Sequence, residues 1–289
     1  MDDFAIVSTA KKDPTFGLIV GGPGEGKTCL GGLQPDPIFL KVEDGTSSLD
    51  TIKKYNPNFK RENVGSFGRV VEKDGEKVNE DIIFDNSSDI LKAIGWLRTG
   101  KHQRKSLIID SAPRIEDIFV REVIALETNP KAKSMAAAHG GYTEAWGLVR
   151  DMWAELVRHL NLLRRERGMH VFILCHEAFE TVERPDVQSY MRSNLQLYPG
   201  SKGKPGFDCR AFLIQQSSLV AFLRQEVYVS SDKTKKEIEK NGNVGKVISN
   251  PNGRVISCHG EPANVGKNRW GITDLIPYDL SCNPFEQYL

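Results

Sequence analysis

The 289 residues carry 39 Lys and Arg against 38 Asp and Glu, a formal charge of +1, so there is no global basic field and any polyanion site has to be a local patch. With 39% hydrophobic residues, 27% charged residues and 14 prolines, the composition excludes disordered and fibrous classes. There is no run of about 18 apolar residues and no basic leader followed by an apolar stretch, which predicts an unanchored cytoplasmic protein with no membrane partner.

In chain order, FGLIV is a continuous apolar run cut off by glycines and predicts a short buried strand, and TCLGGL beyond the glycine loop starts a helix. PIFLKVED (37–44) predicts a second strand with Glu43 and Asp44 at its carboxyl end. Over 66–84 an Asp74-Gly75 turn lies between two partly alternating segments, the mark of an inserted hairpin. NSSDILKAIGWLRTG then reads as a capped amphipathic helix closing at Gly100.

KSLIID predicts a third buried strand ending at Asp110, followed by a helix with Pro113 in its first turn. From Thr143 to Arg167, the residues Trp146, Val149, Trp153, Leu156, Leu160 and Leu163 recur at three and four, one helical face; the two tryptophans are therefore core. MHVFILCHE supplies a fourth buried strand, and 178–206, rich in Pro, Gly, Ser and charge, predicts a long loop. AFLIQQSSLVAFLR, EVYVSS, KVISNPNGRVISCHG with an Asn252-Gly253 turn, and KNRWGITDLIP predict antiparallel strands at the sheet's far edge. Five scattered cysteines without C-x-x-C spacing argue against a disulfide framework or zinc site.

The chemistry is concentrated in GGPGEGKTC, where G-x-x-x-x-G-K-T follows a strand and opens a helix. Gly21, Gly22, Pro23, Gly24, Glu25, Gly26 and Cys29 shape a loop whose backbone N–H groups can turn onto phosphates, with Lys27 reaching the terminal phosphates and the Thr28 hydroxyl ligating Mg2+. Asp110, ending a buried strand, is the second candidate magnesium residue. Glu43 is the first candidate for orienting and deprotonating an attacking water, with a cap or turn as the other reading of Glu43 and Asp44. His176, at another strand end, is placed to sense a γ-phosphate or is simply structural. Lys267 and Arg269 share one face if extended, either as surface charge or as a clamp on a neighbour's γ-phosphate. Basic and aromatic residues in 129–142 and 178–206 suit a single-strand groove or a solvated loop.

Taken in this order, GGPGEGKT, FLKVEDG, SLIIDS, FILCHE and KNRWG resemble the RecA-like ATPases, most closely the phage-encoded nucleotide-binding proteins of the Sak-type single-strand annealing group, over roughly residues 14–280. The resemblance implies a RecA-like core with ATP at a subunit interface, in a ring or a filament, acting in recombination of phage DNA with a single-strand-binding protein as a further candidate partner. It implies Glu43 as catalytic glutamate, His176 as γ-phosphate sensor, Lys267 and Arg269 as fingers acting on the adjacent subunit, and the two loops as contacts to single-stranded DNA. Unlike RecA, the sequence has no evident N-terminal oligomerisation segment or separate C-terminal DNA domain.

The expectation is a single α/β domain over 1–289 with a mainly parallel central sheet, flanking helices and antiparallel strands at the C-terminal edge. Its function is read as a DNA-stimulated, ATP- and Mg2+-dependent ATPase. A nucleotide-gated protein switch and a small-molecule kinase using the same loop are the alternatives.

Overall fold

The computed structural model of the chain describes residues 13–73, 76–201, 205–230 and 246–289. Five strands form the parallel centre: β1 (Phe16–Gly21), β2 (Pro37–Lys41), β6 (Ser106–Asp110), β7 (His170–Arg184) and β9 (Leu219–Ser230), in the spatial order β2-β6-β7-β1-β9. Every residue of β1, β2 and β6 is buried, as expected of parallel strands covered on both faces. Alternation sends Phe16, Leu18 and Val20 into one apolar cluster and Ile19 into the other.

Helices cover both faces. The first cluster takes α2 (Ser87–Thr99), α3 (Ala112–Ala125), α4 (Glu144–Arg167) and α5 (Cys209–Gln216), and the second takes α1 (Lys27–Gly32) with a 3₁₀ helix over Thr46–Lys54. α2 starts where the Asn86 side chain accepts the Asp89 N–H, and α4 stops at Gly168, whose φ of 68° is left-handed and favours glycine. Trp153 is fully buried edge-on to Phe119, while Trp146 is half-buried and stacks on Tyr198. All five cysteines are free, and only Cys282 is exposed. Among the described residues no helix is long and apolar enough to cross a membrane.

The short strand β3 (Gly65–Ser66) extends the sheet beside β2, and β4 (Gly68–Lys73) pairs with β5 (Glu76–Asp81) as a separate hairpin; its expected Asp74-Gly75 turn lies outside the described residues. On the other side β10 (Lys246–Ser257) and β13 (Lys267–Asn268) run antiparallel to β9, and β14 (Ile276–Tyr278) antiparallel to β10. The fold class is thus the α/β architecture expected, with antiparallel strands at the C-terminal edge.

Three expectations are corrected. The long loop over 178–206 is mostly a hairpin, in which β7 continues to Arg184 and β8 (Val187–Leu195) returns antiparallel. Its strands alternate polar and apolar residues instead of presenting an apolar run, and Pro185 and Asp186 make the turn. AFLIQQ belongs to α5, and LVAFLR opens β9 as a central parallel strand on β1. Asn252-Gly253 lies within β10 where its register against β9 shifts, so these residues form an irregularity, not a hairpin turn. Beyond the hairpin, β11 (Gly260–Glu261) and β12 (Asn264–Val265) pair with each other, and β12 lies parallel to β8.

On α3, the buried Glu116 accepts the Tyr198 N–H at 2.9 Å; burial, opposed by that bond and by the neighbouring Cys209 and Trp153, pushes its pKa up to about 7. A carboxyl that holds its proton more tightly folded than unfolded costs stability as pH rises from about 4 through 7. Glu116→Gln keeps the acceptor and removes the ionisation. It is expected to stabilise the protein by about 3 kcal/mol at pH 8.5 and by nothing measurable at pH 4. Thermal unfolding at both values checks this; a gain equal at both would contradict it.

Candidate active site

β1 delivers the chain into the loop 21–28 at the carboxyl edge of the sheet. Gly24 and Gly26 have φ of 78° and 102°, a region that L side chains rarely adopt. A Cβ at Gly21 would lie 2.6 Å from a Glu25 carboxylate oxygen and 2.8 Å from the Leu223 carbonyl, so the turn is built for glycine there as well.

Lys27 is 8% exposed, and its ammonium donates to the Gly21 and Gly22 carbonyls at 2.8 Å each. Burial pulls its pKa down against the surrounding carboxylates. The Gly22 N–H donates to the Glu25 carboxylate, whose own pKa burial raises. The loop therefore already accepts an anionic oxygen on a backbone N–H, beside a buried cation whose hydrogen bonds among the described residues go to the loop's own carbonyls. That donor set suits a nucleotide's phosphates.

The Thr28 hydroxyl donates to Asp110 Oδ2 at 3.0 Å. Asp110 is 4% exposed, and burial, followed by the charge of Glu43, pushes its pKa up to about 6. A hydroxyl and a desolvated carboxylate in contact fit a hard divalent cation such as Mg2+. β7 runs between β6 and β1. The registers Gly21 with His176 and Asp110 with Leu174 nevertheless bring all three strand ends to one edge.

Glu43, two residues beyond β2, lies with one oxygen 3.8 Å from His176 Nε2 and the other 3.6 Å from Arg114 Nε. His176, then the Ser111 hydroxyl, hold its pKa down to about 2. Asp44 is mostly exposed and pairs with Lys41 at 3.4 Å, so it stands apart from this cluster.

Lys267 and Arg269 are not brought to this edge. Lys267 pairs with Val220 at the start of β9, and the Arg269 N–H donates to Ser218, whose own N–H donates to Phe16 at the start of β1. The Lys267 ammonium donates to the carbonyls of Ile214 and Gln215 at 2.7 and 2.9 Å, closing the end of α5.

Several polar neighbours of the loop lie outside every sequence motif. Arg224 follows Leu223, the register partner of Gly21, and donates to Glu177 at 3.2 Å and Ser193 at 2.7 Å. Arg254 reaches in from β10 to donate to the Glu25 carbonyl at 2.9 Å. Only the order of strands brings them here.

No curated protein matches the chain. The family model of the AAA domain matches residues 13–270. With the glycine loop, Lys27, Thr28 and Asp110 assembled at the carboxyl edge of a mainly parallel sheet, this match over most of the chain places the protein in the AAA domain family of P-loop ATPases.

Proposed function

We propose that the chain is a single-domain, ATP- and Mg2+-dependent ATPase that acts on single-stranded DNA as a ring or filament, in recombination or annealing of phage DNA. The observation that carries the reading is the meeting of Lys27, Thr28, Asp110, Glu43 and His176 at one end of the sheet. Thr28 and Asp110 would hold the magnesium ion, which supplies charge neutralisation on the phosphate oxygens. Lys27 leaves its carbonyl partners for the terminal phosphates.

Glu43, ionised at any physiological pH, orients the attacking water and takes its proton as bond cleavage proceeds. His176 couples this to the rest of the molecule. Its imidazole faces Glu43, and its own strand runs on into the β7–β8 hairpin. A second connection starts from Asp110: α3 follows it directly, and Glu116 on α3 holds the Tyr198 backbone.

Support for the DNA partner comes from the start of α4, just beyond 129–142, where it meets 178–206. The Thr143 and Ser201 hydroxyls are 3.3 Å apart, and Trp146 stacks on Tyr198 at 3.7 Å between ring centroids. Tyr142 at 89% exposure and Phe179 at 66% offer apolar rings on which bases can stack. Lys267 and Arg269, which lie away from their own loop, would on this reading act on the site of a neighbouring subunit.

Fingers acting between subunits predict complementation. Arg269→Ala alone is expected to hydrolyse ATP poorly, and mixing it with Lys27→Ala protein, also inactive alone, to restore part of the activity. Absence of rescue while subunits demonstrably exchange would count against this role.

One observation favours a second reading, an ATP-gated switch for a protein partner. The hairpin's arginines are already paired, Arg184 with Asp186 and Arg192 with Glu180, while Phe179, Val187 and Met191 expose apolar surface. Capture of a partner without DNA, insensitive to salt, would favour this reading, since phosphate contacts weaken steeply with salt.

A further inference from the structure

The edge of the sheet opposite the nucleotide loop brings together four segments, three of which carry cations. Residues 101–105 (KHQRK) lead into β6, Arg164 to Arg167 close α4 just before β7, Asp13 to Thr15 lead into β1, and Arg269 binds beside the start of β9. Because β6, β7, β1 and β9 are successive neighbours, these segments form one row, about 15 Å across at the spacing of adjacent strands. Two clefts join three of these segments. One is lined by Asp13, Arg164, Arg165 and His170, the other by Lys101, His102 and Gln103, and Arg167 belongs to both.

Of the acidic groups nearby, Asp13 acts on Arg164, and two others are paired with basic residues. Glu166 pairs with Arg98 at 2.7 Å and Asp36 with Lys105 at 3.1 Å. Lys101, Arg165, Arg167 and Arg269 are exposed, and among the described residues none of their side chains has a hydrogen-bond or ion-pair acceptor. Basic residues in a last helical turn complement the helix dipole, which accounts for part of the α4 cluster. It does not account for Lys101 or Arg269, which come from other elements onto the same surface. Burial lowers the pKa of Arg164; the charge of Asp13 opposes this, and Arg165 and Arg269 add to it. Like charges gathered in a chain of net charge +1 are stabilised by a polyanion.

We propose that this face binds the phosphate backbone of a nucleic acid, at the end of the sheet remote from the ATP loop. Lys101, Arg165 and Arg167 are the phosphate contacts. Trp96, 51% exposed and stacked on His102 at 5.6 Å, stands at one end as a platform for an unpaired base. The choice of partner rests on the DNA reading above, but the residues are different from those of the 129–142 and 178–206 surface.

The test measures binding of a labelled 30-nucleotide strand, roughly, and of the matching duplex, over a salt series, for the wild type and for the triple variant Lys101→Gln, Arg165→Gln, Arg167→Gln. The variant is expected to bind about tenfold or more weakly at low salt. The slope of log K against log salt should shrink by about 2 for the strand and about 3 for the duplex, since three phosphate contacts are lost. Trp96→Ala should weaken the strand alone, which separates the two forms of nucleic acid. ATP hydrolysis without DNA should be unchanged, and arginine-to-lysine replacement at 165 and 167 should keep binding, as a point charge suffices. Unchanged affinity and slope in the triple variant, with binding lost instead in Tyr142→Ala, Phe179→Ala protein, would overturn this proposal and leave the DNA reading standing. A wild type that binds neither probe would overturn both. Polyglutamate of matched charge competing as well as the oligonucleotide would overturn the nucleic-acid partner.

Discussion

Lys27→Ala is expected to abolish ATP turnover and to weaken nucleotide binding by about a hundredfold or more, the scale of losing a preorganised charged donor in a water-poor site. Lys27 is 8% exposed, and its hydrogen bonds go to two carbonyls of its own loop, so no fold element depends on its charge. Burial already lowers its pKa, which means that the ammonium is held at some expense until phosphates arrive. The variant should therefore melt at or above the wild-type temperature while titration calorimetry detects little nucleotide binding. Wild-type affinity in a folded Lys27→Ala protein would remove the loop from the account.

Glu43→Gln should leave nucleotide binding near normal and slow hydrolysis by about a hundredfold or more, the usual loss on removing a positioned base. The amide keeps the size and one acceptor oxygen, so His176 and Arg114 retain a neighbour at 3.8 and 3.6 Å. What disappears is the charge and the ability to take a proton. Because His176 holds the wild-type carboxyl at about 2, Glu43 should remain ionised from pH 5 to 9, and no fall in rate across that range should trace to its protonation. Single-turnover cleavage across this range decides the matter; normal turnover by Glu43→Gln would exclude it as the base.

The parts of the fold that could be read in the sequence are those whose physics is local. Phe16 to Val20, Leu107 to Ile109 and Val171 to Cys175 are apolar runs that need burial on both sides, and the glycine loop needs left-handed backbone at Gly24 and Gly26. The β7–β8 hairpin was illegible because Phe179, Thr181 and Met191 alternate with charged residues on a partly solvated ribbon. The placement of β9 was illegible for another reason: LVAFLR has the same pattern whether its neighbour is parallel or antiparallel. At the site, Thr28 and Asp110 carry a recognisable pattern, whereas Arg114 beside Glu43, Arg224 beside Glu177 and Arg254 on the loop arrive only through helix placement and strand order. The separation of Lys267 and Arg269 from their own loop likewise depends on strand topology, which spacing in the chain does not encode.

The most direct test of the account is steady-state ATP hydrolysis at low salt, with and without single-stranded DNA, while light scattering follows assembly. The account predicts that DNA raises both the rate and the oligomer size, and that high salt removes both effects. Hydrolysis and particle size that are indifferent to DNA at every salt concentration would contradict it and leave the ATP-gated protein switch as the better description.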